Sequence, residues 1–288
     1  MLKNSELLLA ASVPLLWGFG FTFTKAGLNE FPPLFLMGLR FSLASLVLIW
    51  FVPIPRGQLK QIFWISFVGS TLRYGMTYTG LSMIDASLSI IIMQLGVPFS
   101  VLLAAILFKD KPGIQQILGM LISFAGIILI TGQPSLSGQL YAILLTAAGT
   151  MMWALGQVMV KRLKNPPSGF ALTAWIGVFS GPQTILGSFI FEENQLESLV
   201  QASWIGWGVI LYGSFLMTVL GYGIWYHVLS RNPVSKVMPV MLLLPVFTIA
   251  SSMLFLGEQP SLMIFIGAAV VIGGVSLIVL TKDSKLTS

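Results

Sequence analysis

Few residues of this 288-residue chain could do chemistry, and they are mostly cationic or phenolic. Arg40 and Arg73 stand inside otherwise apolar runs, with Lys25, His227 and Lys236 nearer the ends of such runs. Ionisable groups at membrane depth are costly and mark functional candidates. A guanidinium is a planar fork of donors that matches a carboxylate, so these groups suit a carboxylate-bearing solute. The opposing reading has Arg40 and Lys25 bonding helix-end carbonyls or snorkelling to headgroups. Tyr74 and Tyr78 fall one helical turn apart with Thr77 beside them, and Tyr222 and Tyr226 repeat the spacing. Such phenols can form two walls of an amphipathic cavity or an aromatic packing face between helices. Trp17 and Trp153 are further aromatic candidates. Gln94 and Gln157 are isolated amides, each of which must find a partner helix or water. Pro98, Pro239 and Pro245 remove helix bonds and, with His227, Lys25 and Arg40, are candidates for the pathway or its gates.

What is missing narrows the chemistry. The nine acidic residues, Glu6, Glu30, Asp85, Asp110, Glu192, Glu193, Glu197, Glu258 and Asp283, all fall in loops or at the ends of apolar runs. A pump exchanging protons for organic cations would keep a carboxylate inside the membrane. With no cysteine, one histidine, no phosphate-cradling glycine loop and no nucleophile beside a base, no catalytic residue, metal or cofactor is expected. An intramembrane enzyme acting on lipid is correspondingly disfavoured.

The elements that must position these residues are read from the charge-free intervals. No charged side chain lies between Glu6 and Lys25, Asp85 and Lys109, Lys111 and Lys161, Lys164 and Glu192, Glu197 and Arg231, or Lys236 and Glu258. About 20 apolar residues of helix cross a bilayer core. With 56% hydrophobic and 8% charged residues and a mean hydropathy of +0.92, the chain reads as an all-α polytopic membrane protein. The expected spans are 7–27, 33–52, 61–81, 86–108, 113–131, 139–160, 169–190, 204–227, 234–256 and 261–280. Lys3, Arg56, Lys60, Lys109, Lys111, Lys161, Arg162, Lys164, Arg231, Lys282 and Lys285 then share one face, and Glu30, Asp85, Glu192, Glu193, Glu197 and Glu258 the other. That is the positive-inside pattern, with both termini cytoplasmic. The dispersed basic residues exclude a nucleic-acid stripe. Asp110 and Glu258 read as helix-start caps beside Pro112 and Pro260.

Trp17, Gly20 and Lys25 recur 136 positions on as Trp153, Gly156 and Lys161. A shift of 148 maps Tyr74, Gly75, Tyr78, Leu81 and Ser82 onto Tyr222, Gly223, Tyr226, Leu229 and Ser230, and Pro112, Gly119 and Gly126 onto Pro260, Gly267 and Gly274. The chain is thus one transmembrane domain, 1–288, of two five-helix repeats, 7–131 and 139–280. Because five is odd, the repeats are inverted, an architecture that places a substrate site near the midplane between the halves.

The segments LLWGFGFTFTKAGLNEFPPLFLMGLRF, LGYGIWYHVLS and LLLPVFTIASSMLFLGEQP, in this order and with this duplication, resemble the drug/metabolite transporter superfamily, specifically its ten-helix EamA-type exporters. The likeness is greatest to bacterial amino-acid exporters. One departure is Asp110, where the family usually has glutamate. The resemblance implies a secondary transporter that exports amino acids or related metabolites across a bacterial-type inner membrane by alternating access. Its partners would be a small-molecule substrate and membrane lipid, with a monomer sufficient. Export of drugs or other metabolites, or a channel or scaffold role, remain as alternatives.

Overall fold

The computed structural model describes residues 4–109, 111–132, 134–232 and 237–280. Asp110 and Lys236 lie outside them. Among the described residues the chain is helical throughout, with no strand: α1 (Asn4–Gly27), α2 (Pro33–Leu48), α3 (Leu59–Ser66), α4 (Arg73–Met83), α5 (Ala86–Met93), α6 (Gly96–Phe108), α7 (Ile114–Thr131), α8 (Leu140–Lys161), α9 (Gly169–Phe191), α10 (Gln195–Gln201), α11 (Trp204–Leu211), α12 (Tyr222–Arg231), α13 (Leu243–Leu256) and α14 (Leu262–Leu280). Nine helical runs among the described residues are long and apolar enough to cross a membrane: 6–27, 33–51, 86–108, 114–131, 140–161, 169–191, 204–229, 238–256 and 262–280. The run 59–83 is not among the nine. It is helical without a break, but Lys60, Arg73 and its tyrosines and hydroxyls make it less apolar. The exposed side chains on the helix flanks are leucine, isoleucine and phenylalanine, such as Leu46, Leu121, Ile128, Leu186 and Leu254, as a lipid-facing surface requires.

Two of these runs widen in the middle. Phe67–Leu72 joins α3 to α4, and Tyr212–Gly221 joins α11 to α12, each as a π-helix. The shift of 148 carries the first segment to 215–220, inside the second. Lateral packing relies on small residues that let backbones approach. A methyl group placed on Gly119 of α7 would lie 2.6 Å from the Gly274 carbonyl oxygen of α14, and one on Gly267 would lie 3.2 Å from that of Gly126. Residue numbers thus rise on one helix as they fall on the other, so α7 and α14 run antiparallel. So do α2 and α9, where Gly181 meets Ser42 and Gly177 meets Ser45. By contrast α1 and α13 run parallel, with Gly18 against Phe247 and the Thr22 hydroxyl 2.6 Å from that of Ser251.

The helix ends are tied by carboxylates from elsewhere in the chain. Glu192 accepts from the Leu34 and Phe35 amides at the start of α2, at 2.8 and 3.2 Å. Glu30 accepts from the amide and hydroxyl of Ser203, the residue before α11, at 2.7 and 2.8 Å. Glu258 accepts from the Ala86 and Ser87 amides at the start of α5, at 2.6 and 3.0 Å, and from the Ser87 hydroxyl. These are the first amides of helices, unpaired within them and at the positive end of the dipole. Glu258 is therefore a cap, as its sequence suggested, but of α5 and not of the helix that follows it. The acid-bearing loops so bond to one another's helices at one end of the bundle. At the other end Gln58 donates to the Lys164 carbonyl, Arg162 to that of Leu107, and Asn232 to Glu6.

Candidate functional site: an aromatic and arginine centre

Helical spacing puts Tyr74 and Tyr78 on one face of α4, and both are buried, with ring centroids 5.3 Å apart. Phe41 of α2 meets Tyr74 edge-on at 4.9 Å, and Phe21 of α1 meets Tyr78 at 5.9 Å. On α12 the Tyr222 and Tyr226 rings stack at 5.9 Å, and Trp17 of α1 tilts over Tyr222 at 4.9 Å. The two tyrosine pairs are linked through α1, whose Phe21 meets Tyr78 and whose Trp17 meets Tyr222, and through Arg40 of α2, which bonds the helical run that carries Tyr222. Elements from both halves of the chain therefore supply one centre.

The arginines enter it differently. The Arg73 guanidinium carbon sits 4.4 Å from the Tyr74 ring centroid and 5.7 Å from that of Trp153, so its charge is met by π faces. Arg40 is 5% exposed. Its Nε donates to the Gly213 carbonyl at 3.0 Å, and Nη2 lies 3.5 Å from the Thr218 hydroxyl. Both partners belong to the second π segment. A π turn shifts hydrogen bonding from i→i+4 to i→i+5, and side chains here donate to its carbonyls. The Gly213 oxygen takes Arg40 and Thr218, the latter at 2.9 Å, while Trp17 Nε1 donates to the Met217 oxygen at 2.9 Å. The first π segment has a parallel device. Gln183 of α9 accepts from Thr71 at 2.7 Å and donates to the Phe63 carbonyl at 3.3 Å. Gln183 carries the same signal as Gln94 and Gln157, an amide in an apolar run, whereas Thr218, Phe21 and Phe41 carry none; in an apolar run nothing distinguishes a hydroxyl or ring that serves a π turn from one that packs.

Other residues named from sequence sit apart from the centre. Thr77 is buried in the seam between α4 and α8, over Gly149. Gln157 is exposed on α8, and His227 is exposed near the end of α12. Gln94 occupies the break between α5 and α6, with Pro98 buried one turn on. Pro239 falls in the 3-10 turn Met238–Leu242 and Pro245 in the first turn of α13, so both sit where regular helix is interrupted. Tyr226 extends from the centre toward α9, packing over Gly169, its hydroxyl 3.3 Å from that of Thr173. Lys25 has the helix-end role: Nζ donates to the Leu81 and Ser82 carbonyls closing α4, at 2.7 and 3.1 Å. Asp85 and Glu258 are its charged neighbours, and burial and then Glu258 push the Asp85 carboxyl above the usual range, against the pull of Lys25.

The EamA-like transporter family profile matches twice, over residues 4–132 and 140–280. The chain belongs to the EamA-like transporter family. Relatives include a protein named as a probable amino-acid metabolite efflux pump in Escherichia coli K12, 29% identical over 282 residues that cover 95% of this chain and 94% of that one. The relative of the same name in Salmonella typhimurium LT2 matches to the same extent. A protein named as an uncharacterized transporter in Archaeoglobus fulgidus is 28% identical, over 96% of this chain and 98% of its own. A crystal structure superposes with a TM-score of 0.66 over all of this chain and 99% of the other, at 18% identity, which speaks for the fold alone. As an EamA-family protein the chain is a multi-pass membrane transporter and not an enzyme, and its setting is a small-molecule substrate and membrane lipid.

Proposed function

We propose that this transporter exports amino acids or related small metabolites across a bacterial-type inner membrane, by alternating access between two inverted five-helix halves. The observation that carries the reading is the central cluster: two arginines among tyrosine and tryptophan rings, inside the helical bundle, facing no carboxylate among the described residues. Phenols and π faces suit the apolar body of a small zwitterion, and the guanidinium field suits its carboxylate. Ten spans are counted by including the run 59–83, whose lower apolarity is that of a helix lining a polar path. The inversion is supported by the antiparallel α2–α9 and α7–α14 pairs, by the π segments at matching register, and by the twofold family match. With the basic loops cytoplasmic, both termini face the cytoplasm. Since no described carboxylate sits at mid-span, the solute's own gradient, and not proton-for-cation exchange, is the driving force this chain suits.

The experiment is efflux from cells loaded with labelled amino acids, with and without the protein. Faster loss of at least one of them supports the reading. Equal rates for all twenty, with the protein present in the membrane, would contradict it.

A further inference from the structure

The two arginines of the centre are not interchangeable. Arg73 has its charge covered by the Tyr74 and Trp153 rings. Arg40 is clamped along one edge by Gly213 and Thr218, and its Nη1 is fully buried without a hydrogen-bond partner. The Tyr78 hydroxyl is within hydrogen-bonding reach of the guanidinium, and the Phe41 ring centroid lies 5.8 Å from the guanidinium carbon. None of the described carboxylates reaches it. A buried cationic donor with no acceptor is unfavourable, and such groups persist where something outside the protein completes them. The clamp also fixes the direction in which the fork points. Nε and one Nη2 hydrogen are committed to the scaffold, which leaves the end-on pair, Nη1 and the second Nη2 hydrogen, without a bond to Gly213 or Thr218.

We propose that Arg40 anchors the carboxylate of the transported solute through this end-on pair, with the tyrosine rings taking the solute's apolar part. The inference rests on the transport reading above and narrows it. The substrate class is a free amino acid or related carboxylate, and its amides and esters are rejected. Tyr78 is 3% exposed and lies against the guanidinium, so the acceptor arrives when that aromatic wall opens, as an alternating carrier requires. Arg73, masked by π faces, sets the field without choosing between acid and amide.

The test uses purified protein in liposomes and the amino acid that the wild type exchanges fastest from a panel of twenty. Unlabelled acid and its amide compete for counterflow in the wild type, Arg40→Lys, Arg40→Gln and Arg73→Gln. In the wild type the amide should compete about thirtyfold less well, the discrimination of a desolvated charge-assisted bond. That ratio should fall to about threefold or less in Arg40→Gln, be partly kept in Arg40→Lys, which holds charge without the fork, and survive in Arg73→Gln. Because Arg40 also holds the π segment, Arg40→Gln is read only if its melting temperature is near that of the wild type; the other three proteins decide otherwise. Equal competition by acid and amide in the wild type overturns the inference without any variant. A ratio unchanged in Arg40→Lys but lost in Arg73→Gln overturns it too. Exchange of none of the twenty would instead remove the transport reading.

Discussion

Glu258→Gln isolates the strongest of the cross-chain caps. The Glu258 carboxylate takes the two leading amides of α5 and the Ser87 hydroxyl, joining the α4–α5 turn to the α13–α14 turn. Glutamine has the same shape but one acceptor oxygen. Its amide nitrogen must then face either the Ala86 N–H or the Ser87 N–H and hydroxyl together, so at least one charge-assisted bond is lost and the rest become neutral. A hydrogen bond to a charged group is worth about 1.5–3 kcal/mol and a neutral one about 1, and the side chain is half-buried, so a net loss of about 2 kcal/mol follows. At roughly 2–4 °C per kcal/mol for a chain of this size, the melting temperature should fall by about 4–8 °C. Tryptophan fluorescence during thermal unfolding in detergent reads this directly. Glu193→Gln is the control, since Glu193 is exposed on the same face. If the two substitutions lower the melting temperature equally, the carboxylate at position 258 is not a cap and the tie between these turns does not hold.

Asp85 should respond in the opposite sense. Its carboxyl is raised by burial and by Glu258, so between the ordinary carboxylate pKa and the raised one the folded protein binds more protons than the unfolded chain, and stability falls as pH rises through that window. Asp85→Asn should therefore match or exceed the wild type in melting temperature at pH 7 and lose that advantage below the window; a variant less stable than wild type at pH 7 would contradict this. Tyr78→Ala and Tyr226→Ala should each reduce counterflow more than membrane expression, while the Phe variants separate ring packing from hydroxyl chemistry, and wild-type exchange by both alanine variants would make these residues scaffold. A reporter fused after Ser288 should be active only in the cytoplasm. A cysteine placed in the EENQLES loop of this cysteine-free chain should react with an impermeant reagent from outside. Termini found on opposite faces would sink the inverted-repeat architecture.

The helices are legible in the sequence because an apolar run of about twenty residues fits little besides a membrane-crossing helix, and the tyrosine pairs because period and repeat agree. The run 59–83 reads as a span like the others, yet its Arg73, Tyr74 and Tyr78 are what set it apart from the nine apolar helices. What the sequence could not convey was partnership at long range. Glu258 beside Pro260 reads as a local cap, and its actual amides lie at residues 86 and 87, chosen by how two turns meet in space. Lys25 and Arg40 look equivalent as cations in apolar runs. One ends on the carbonyls that close α4, and the other on a carbonyl in a π turn. A π turn leaves no mark in composition or periodicity, so the bond from Trp17 to Met217 had no signal at all.

The most direct test of the account is counterflow in liposomes holding the purified protein, with a labelled amino acid outside and excess unlabelled amino acid inside. A carrier working through the aromatic and arginine centre predicts transient accumulation of label above equilibrium, saturable in outside concentration, and abolished together by Tyr78→Ala and Tyr222→Ala at normal protein levels. Label that only equilibrates, at a rate linear in concentration and unchanged by either substitution, would mean a pore or a scaffold and would contradict it.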